Sequence, residues 1–281
     1  MKKFILGACA ILCALAIMAG LPVQAHECPL VATQQEIELP IIMYHLVTKT
    51  PKYIGKYGVT PAELERDMQY LRESGYTTVV LQDVINFVMH GVPLPLKPIM
   101  LTVDDGNYSD YEYLLPLLEK YDMRAVLAIM GGVIDRYTAD AEKTPKAKYP
   151  NLTWPQVQAL HLSGRCEIQS HGYDVHGKRG SGRNSGESLE AYTVRLKADL
   201  EKMQEACHAQ LGYMPNSFIY PLGIVGDGSK DVLAELGMLA TLGCEEGVNV
   251  LRVGDLDALY TMYRYNRPNS ESVQQILARM R

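Results

Sequence analysis

Residues 98–106, PIMLTVDDG, decide how this chain is read. The stretch from Pro98 to Val103 carries almost no polar alternation, as a strand buried on both faces requires. Such strands belong to parallel sheets covered by helices. The strand ends in Asp104, Asp105 and Gly106. Adjacent acids closing a buried strand repel each other and are costly to desolvate unless they are used. Successive strand residues point to opposite sides, so one Asp can hold a metal ion while the other faces a bound water. Asp and Gly are also ordinary turn formers, and a DDG turn alone fits a structural role as well.

The same rhythm runs outward in both directions. Upstream, 37–47 (IELPIIMYHLV) reads as one buried strand. Thr60, Pro61 and Glu63 then form a capping-box start, with Leu64, Met68 and Leu71 as the apolar stripe and Gly75 as the stop. A strand over 77–81 and a helix over 82–90 lead into the opening motif. Downstream, helices are expected near 111–121, 153–162, 189–211, 230–236 and 272–280. Strands are expected over 124–130, 165–169, 217–220 and 238–242, with a weak one near 259–263. This alternation implies either a (β/α) barrel or an open doubly wound sheet. Two stretches break it: 131–151, read as a polar insertion, and 177–187 (GKRGSGRNSGE). Both follow strand ends, where parallel folds build active sites, and both also fit plain solvated loops.

The chain has 281 residues, of which 47% are hydrophobic and 21% charged, a composition that supports a full core. Residues 1–25 read as a secretory signal: Lys2 and Lys3, an apolar run, then Val23-Gln24-Ala25 at the cleavage site. An uncleaved anchor is the alternative on the same pattern. Export is therefore expected, with one domain over 26–281 and no membrane span after cleavage. Without Lys2 and Lys3, 25 basic residues face 32 acidic ones and the formal charge moves from −5 to −7. That balance argues against nucleic acid or anionic membranes as partners. Cys28, Cys166, Cys207 and Cys244 form no CxxC pair, so neither a thiolate zinc site nor a disulfide scaffold is expected.

Three further motifs end strands. In Ser170-His171-Gly172-Tyr173-Asp174-Val175-His176 the two histidines would lie about 140° apart on a helix, but in a tight loop they can converge. Two imidazoles and a carboxylate with open positions make a hydrolytic metal site. An HxxxxH pair alone also fits two unrelated loop histidines. Phe218-Ile219-Tyr220-Pro221-Leu222-Gly223 is a strand entering a turn that can present backbone N–H groups to an oxyanion, or simply end a strand. Ile42-Met43-Tyr44-His45 places a lone histidine at the end of the first strand, as a core residue or a catalyst. His26, His90, His161 and His208 take the structural reading.

The ordered set MYH, TVDDG, SHGYDVH and FIYPLG resembles the polysaccharide deacetylases of the NodB-homology type, the family 4 carbohydrate esterases, over roughly residues 39–281. The resemblance implies a distorted (β/α) barrel, usually of seven strands. It implies a metal held by Asp105, His171 and His176, with Asp104 as the base taking a proton from metal-activated water. Leu222, with Tyr220 and Pro221, would form the oxyanion and substrate wall. Many members carry a late LxH histidine as the acid, but 259–267 here reads LYTMYRYNR, so the acid is assigned to His45, as in a branch whose first strand ends in YH. The family's arginine that orients the base is replaced by Ile219, leaving Arg264 or Arg267 to substitute. Gly172 stands where Thr or Ser is usual, which implies a looser ligand loop, and Leu222 where an aromatic is usual.

The expected activity is N-deacetylation of a hexosamine-containing polysaccharide. The alternatives are an O-acetyl glycan esterase of the same mechanism, a catalytically weak glycan-binding protein on the same scaffold, or a hydrolase of a small non-sugar amide. The ligand set suits Zn²⁺ and also accepts Co²⁺, Ni²⁺ or Mn²⁺.

Overall fold

The computed structural model describes residues 35–143 and 150–280. The expected signal sequence over 1–25, His26 and Cys28 lie outside these residues. From Gln34 onward the chain forms one compact unit. Among the described residues no helix is long and apolar enough to cross a membrane.

The chain opens with β1 (Glu36–Leu39), β2 (Ile41–Tyr44), β3 (Leu46–Val47) and β4 (Gly58–Val59). Helix α1 (Pro61–Glu73), β5 (Thr77–Val79), α2 (Leu81–His90) and β6 (Pro98–Asp104) follow. Next come α3 (Leu115–Tyr121), β7 (Ala125–Ile129), α4 (Gly131–Lys143), α5 (Trp154–Leu162), β8 (Cys166–Ser170) and α6 (Leu189–Leu211). The last elements are β9 (Ser217–Ile219), α7 (Ser229–Glu235), β10 (Ala240–Leu242), β11 (Asn249–Arg252), β12 (Tyr265–Asn266) and α8 (Val273–Arg279).

Seven parallel strands run in the order β10-β9-β8-β7-β6-β2-β12. An isolated parallel bridge between Leu242 and Met262 links the β10 end of this path to the segment that leads into β12. The expected distorted barrel is therefore the observed fold. All seven residues of β6 are buried, as its sequence demanded. Its length lets it take two partners in series along one edge. Val79 of β5 pairs with Met100, and Val126 of β7 pairs with Thr102. Helix α1 starts as read: Glu63 N–H donates to Thr60 Oγ1 (3.2 Å), Thr60 N–H donates back to Glu63 Oε2 (2.8 Å), and Leu64, Met68 and Leu71 are buried.

Four expectations fail locally. The single strand over 37–47 is broken at Pro40 and His45. Pro40 lacks the N–H a continuous ladder needs. β1 leaves the barrel and pairs antiparallel with β11, a strand the sequence reading did not find. The insertion expected over 131–151 contains α4, because Gly131 and Gly132 open a helix there rather than a loop. The weak strand near 259–263 is instead a 3-10 turn (Leu256–Leu259) and a left-handed Thr261 (φ 58°), with the true strand, β12, just beyond.

The return of the chain from β12 to α8 rests on a buried ion pair. Arg267 Nε lies 2.7 Å from Asp67 Oδ2 on α1, and both side chains are 3% exposed. Tyr44 Oη (3.1 Å) and the Val273 N–H (3.2 Å) also donate to Asp67. Removing one partner leaves an uncompensated buried charge. Arg267→Met should therefore cost about 3–5 kcal/mol, whereas replacing both partners with apolar side chains should recover most of that loss. Urea unfolding of the single and the Asp67→Leu/Arg267→Met variants checks this. A double variant as unstable as the single would assign the cost to something other than the unpaired charge.

Candidate active site

Stretches far apart in sequence deliver side chains to the C-terminal mouth of the barrel, where such folds hold their sites. They line a cleft of about 520 Å³ whose walls include His45, Asp104, Asp105, His171, His176 and Leu222. At the end of β6, Asp105 (φ 79°) and Gly106 (φ 65°) are both left-handed. A non-glycine residue held there costs on the order of 1 kcal/mol. The turn sends the two neighbouring carboxylates to different partners.

Asp105 Oδ1 lies 3.7 Å from His171 Nε2 and 3.6 Å from His176 Nε2. One ligand atom from each of the three lies within 4.8 Å of the others. Donors about 2.1 Å from a tetrahedral ion sit about 3.4 Å apart, so the spacing suits a small divalent cation with room for a further ligand. His171 is tied from behind. Its Nδ1 is 2.8 Å from the Ile219 carbonyl, which places the ring proton on Nδ1 and leaves the Nε2 lone pair toward Asp105. Burial lowers the His171 pKa and outweighs the pull of Asp104 and Asp105, so the ring stays neutral, as a ligand must be.

The ligand loop is not loosened by Gly172; it is held another way. Gly172 has φ 87°, and a Cβ there would meet Val175 Cγ2 at 2.3 Å, so Thr or Ser has no room. Asp199 on α6 accepts from the N–H groups of both Tyr173 and Asp174, each at 2.7 Å. The start of α4 braces the other side: Gly131 N–H donates to the Gly172 carbonyl (3.2 Å) and Gly132 N–H to the Tyr173 carbonyl (3.0 Å). A Cβ on Gly131 would lie 2.6 Å from Tyr173 Cδ2, and one on Gly132 2.3 Å from Asp174 Oδ1. Those glycines permit close approach to the loop, which is why they mislead as loop formers.

Asp104 turns inward to Arg264. The guanidinium makes a two-pronged contact, Nη1 to Oδ1 at 2.8 Å and Nη2 to Oδ2 at 2.9 Å, and is itself fully buried. Nε donates to the Gly243 carbonyl (2.7 Å) and Nη1 also to Thr102 Oγ1 (3.2 Å). Burial pushes the Asp104 carboxyl up, but Arg264, then His171 and His45, overcome it and hold the pKa at about 2. Of the two arginines considered from sequence, Arg264 is thus the one beside Asp104, while Arg267 serves Asp67. Asp110, a turn further on, is also buried. Burial and the charge of Asp105 push its carboxyl well up.

His45 closes β2 on the cleft wall, its ring 4.8 Å from that of Tyr57, and its Nδ1 is buried without a partner. Leu222 is left-handed (φ 59°) and 53% exposed, so this turn faces the cleft. Tyr220 does not: its side chain is buried in the layer behind, with Oη 3.0 Å from Ser229 Oγ, which corrects its reading as a side chain contacting substrate. Pro221 is buried at the start of the same turn and positions Leu222 rather than reaching the cleft. Sequence reasoning missed Asp199, Lys56, Tyr57, Cys244 and Asn266. Asp199 had a signal, an acid on the Tyr192-Leu196-Met203 stripe of α6. The others had none, since they become neighbours only through the barrel. Cys166, Cys207 and Cys244 are unpaired.

The family model described as polysaccharide deacetylase matches residues 91–241. The poly-beta-1,6-N-acetyl-D-glucosamine N-deacetylase of Escherichia coli O157:H7 is 27% identical over 242 residues, covering 78% of this chain and 36% of that protein. The chain thus spans little more than a third of that relative's length. A Streptococcus pyogenes deacetylase solved with acetate superposes with a TM-score of 0.70 at 20% identity, covering 88% of this chain and all of that one. A de-N-acetylase from Aggregatibacter actinomycetemcomitans gives 0.72 at 22%, covering 86% and 99%. At these identities the two structures establish the shared fold.

If Asp199 fixes the ligand loop, Asp199→Ala should weaken metal binding about 10- to 100-fold, as loss of outer support does elsewhere. Calorimetric titration of the metal-stripped protein with Zn²⁺ reads this. Unchanged affinity would mean that α4 alone holds the loop.

Proposed function

The chain belongs to the polysaccharide deacetylase family, and on that premise we propose that it is an exported metal-dependent enzyme removing N-acetyl groups from a hexosamine-containing polysaccharide. The observation that carries this reading is the pairing, in one cleft, of a three-residue ligand cluster with a carboxylate clamped ionised beside it. A divalent ion on Asp105, His171 and His176, zinc by preference and cobalt, nickel or manganese by ligand type, would supply Lewis acidity toward water and the acetyl carbonyl.

The residues around it divide the proton work. Asp104 accepts a proton from the attacking water. A carboxylate held at about pKa 2 is a weak base, so it also gives that proton up readily. The Leu222 N–H, presented by the left-handed turn, donates to the oxyanion. His45 delivers a proton to the departing nitrogen. A second reading of this last step is favoured by one observation. As an acid the His45 ring must carry a proton on Nδ1, which is buried without a partner, and an unmet donor there costs about 1–3 kcal/mol. In that reading Asp104 carries the proton from water to nitrogen alone, and His45 only shapes the wall.

The substrate in the relative's name, poly-beta-1,6-N-acetyl-D-glucosamine, is the first polymer to try. An O-acetyl ester would use the same residues. The signal read over 1–25 supports export.

Purified residues 26–281 should release acetate from β-1,6-linked N-acetylglucosamine oligomers, lose that release when stripped of metal, and regain it with Zn²⁺. Asp104→Asn should lose about 10²–10⁴-fold in kcat. His45→Ala should fall by a similar factor if His45 is the acid; undiminished release would assign the proton to Asp104 alone. No release with metal bound, but retained oligomer binding, would turn the reading to a glycan-binding protein.

Arg264 opposes the upward push of burial on Asp104. Without it the carboxyl must rise, and the base is protonated over a wider acidic range. Arg264→Met should therefore move the acidic limb of the kcat/KM profile to higher pH, while Arg264→Lys should restore part of the shift. An unmoved limb in Arg264→Met would mean that the arginine only supports structure.

A further inference from the structure

Two depressions lie near the metal cleft, and each carries two basic side chains on a protein whose net charge is −5. One, of about 470 Å³, shares His45, Lys56, Tyr57 and Asp105 with the cleft and adds Lys52 and Tyr53. The other, of about 620 Å³, lies against Ile224 and Val225, just past Leu222, and carries Arg179 and Arg183 of the glycine-rich loop that follows His176. That loop leans on the Leu222 turn: a Cβ on Gly180 would lie 2.2 Å from the Pro221 carbonyl oxygen. Both depressions fall within the range of ordinary ligand sites, about 300–1,000 Å³.

Several cations elsewhere on the surface are already paired. Arg165, Lys197, Lys230, Arg252 and Arg279 each meet a carboxylate. Lys52, Lys56, Arg179 and Arg183 are exposed and form no close ion pair among the described residues, although the charge of Arg183 helps to lower the Glu187 pKa. Lys52 and Lys56 rest over their neighbouring tyrosine rings, and Arg179 reaches only the Arg183 carbonyl. Most carboxylates on the same walls are already committed. Glu246 is held by Arg279, Glu187 by Arg195, and Asp105 belongs to the ligand cluster. Asp227 is the exception. Four open cations split between the two flanks favour negative charge on sugars adjoining the reacting one, and disfavour protonated amines there.

We propose that the preferred substrate is an anionic glycan, in which an acetylated hexosamine is flanked by sugars bearing negatively charged groups that Lys52 and Lys56 on one side and Arg179 and Arg183 on the other receive. This rests on the deacetylase reading and names the substrate class of the same site.

The test keeps linkage constant and varies charge alone. A β-1,6-linked N-acetylglucosamine pentamer is prepared fully acetylated, with flanking units as free amines, and with those amines succinylated to carboxylates. Acetate release should show KM lowest for the succinylated form, about tenfold below the acetylated one at low salt, with that ratio falling below about twofold at 0.5 M salt. Lys52→Gln/Lys56→Gln and Arg179→Gln/Arg183→Gln should each narrow the ratio. Equal KM for succinylated and acetylated forms overturns the proposal, even if the amine form is poor, since that alone is product repulsion. If no pentamer releases acetate, the deacetylase reading fails separately. Fluorescence anisotropy of the labelled pentamers on metal-stripped protein then decides the charge question: tighter, salt-sensitive binding of the succinylated form upholds it, and equal binding overturns it.

Discussion

The contact between Arg264 and Asp104 is where fold and chemistry meet. Arg264 enters from the segment that bridges β10 to β12, and its guanidinium reaches Asp104 and Thr102 on β6 and the carbonyl of Gly243 after β10. One side chain therefore pins the end of the central strand to the seam where the barrel closes. A buried ion pair is weak grounds for stability, because desolvation offsets most of the Coulombic gain and an apolar pair often does as well. The geometry makes sense as a device for charge. It keeps a carboxylate ionised in a place where burial alone would neutralise it, next to a cluster that needs its own carboxylate free.

Once Asp104 is committed inward, Asp105 must point elsewhere, and the backbone bears the cost. Asp105 and Leu222 are two of only four non-glycine residues with positive φ among the described residues, and both end barrel strands at the mouth. Strain of this kind persists where the surroundings over-determine it. Here Ile129 and Ile134 crowd Gly106, Cys244 crowds Gly223, and Val175 and Asp199 crowd Gly172. The mouth is thus rigid through close backbone approach, which suits ligand atoms that must be held within a few tenths of an ångström.

How much of this was legible in the sequence follows the range of each interaction. The capping box of α1, the bounds of α6 and the buried character of β6 depend on neighbours within a turn or a strand, and all were read correctly. The gathering of Asp105, His171 and His176 was legible because each follows a strand end, and parallel sheets gather strand ends. The choice between Arg264 and Arg267 was not. Both lie three residues apart near the last strand, and only the register of β12 against β2, Tyr265 beside Ile42, decides which faces the barrel interior. β11 was missed for a similar reason: its partner, β1, lies more than 200 residues away and had been fused to β2. Tyr220 misled because a strand's alternation sends it to the outer layer while Leu222, two residues on and left-handed, turns to the cleft.

The same register decides what lies beside His45. The approach to the last strand is occupied by Arg264. β12 and β2 are neighbours, with Asn266 beside Met43, and adjacent strands lie about 4.8 Å apart. A side chain at the end of β2 and one at the end of β12 therefore lie about one strand spacing apart. Residues nearly a whole chain apart in sequence are thus neighbours at the mouth. Arg264 reaches Asp104 from the segment before β12, which bridges to β10, while Ile219 on β9 is buried in the core. Because the barrel is nearly closed, its first and last strands bring their ends to the same mouth, and side chains from both ends of the sequence meet there.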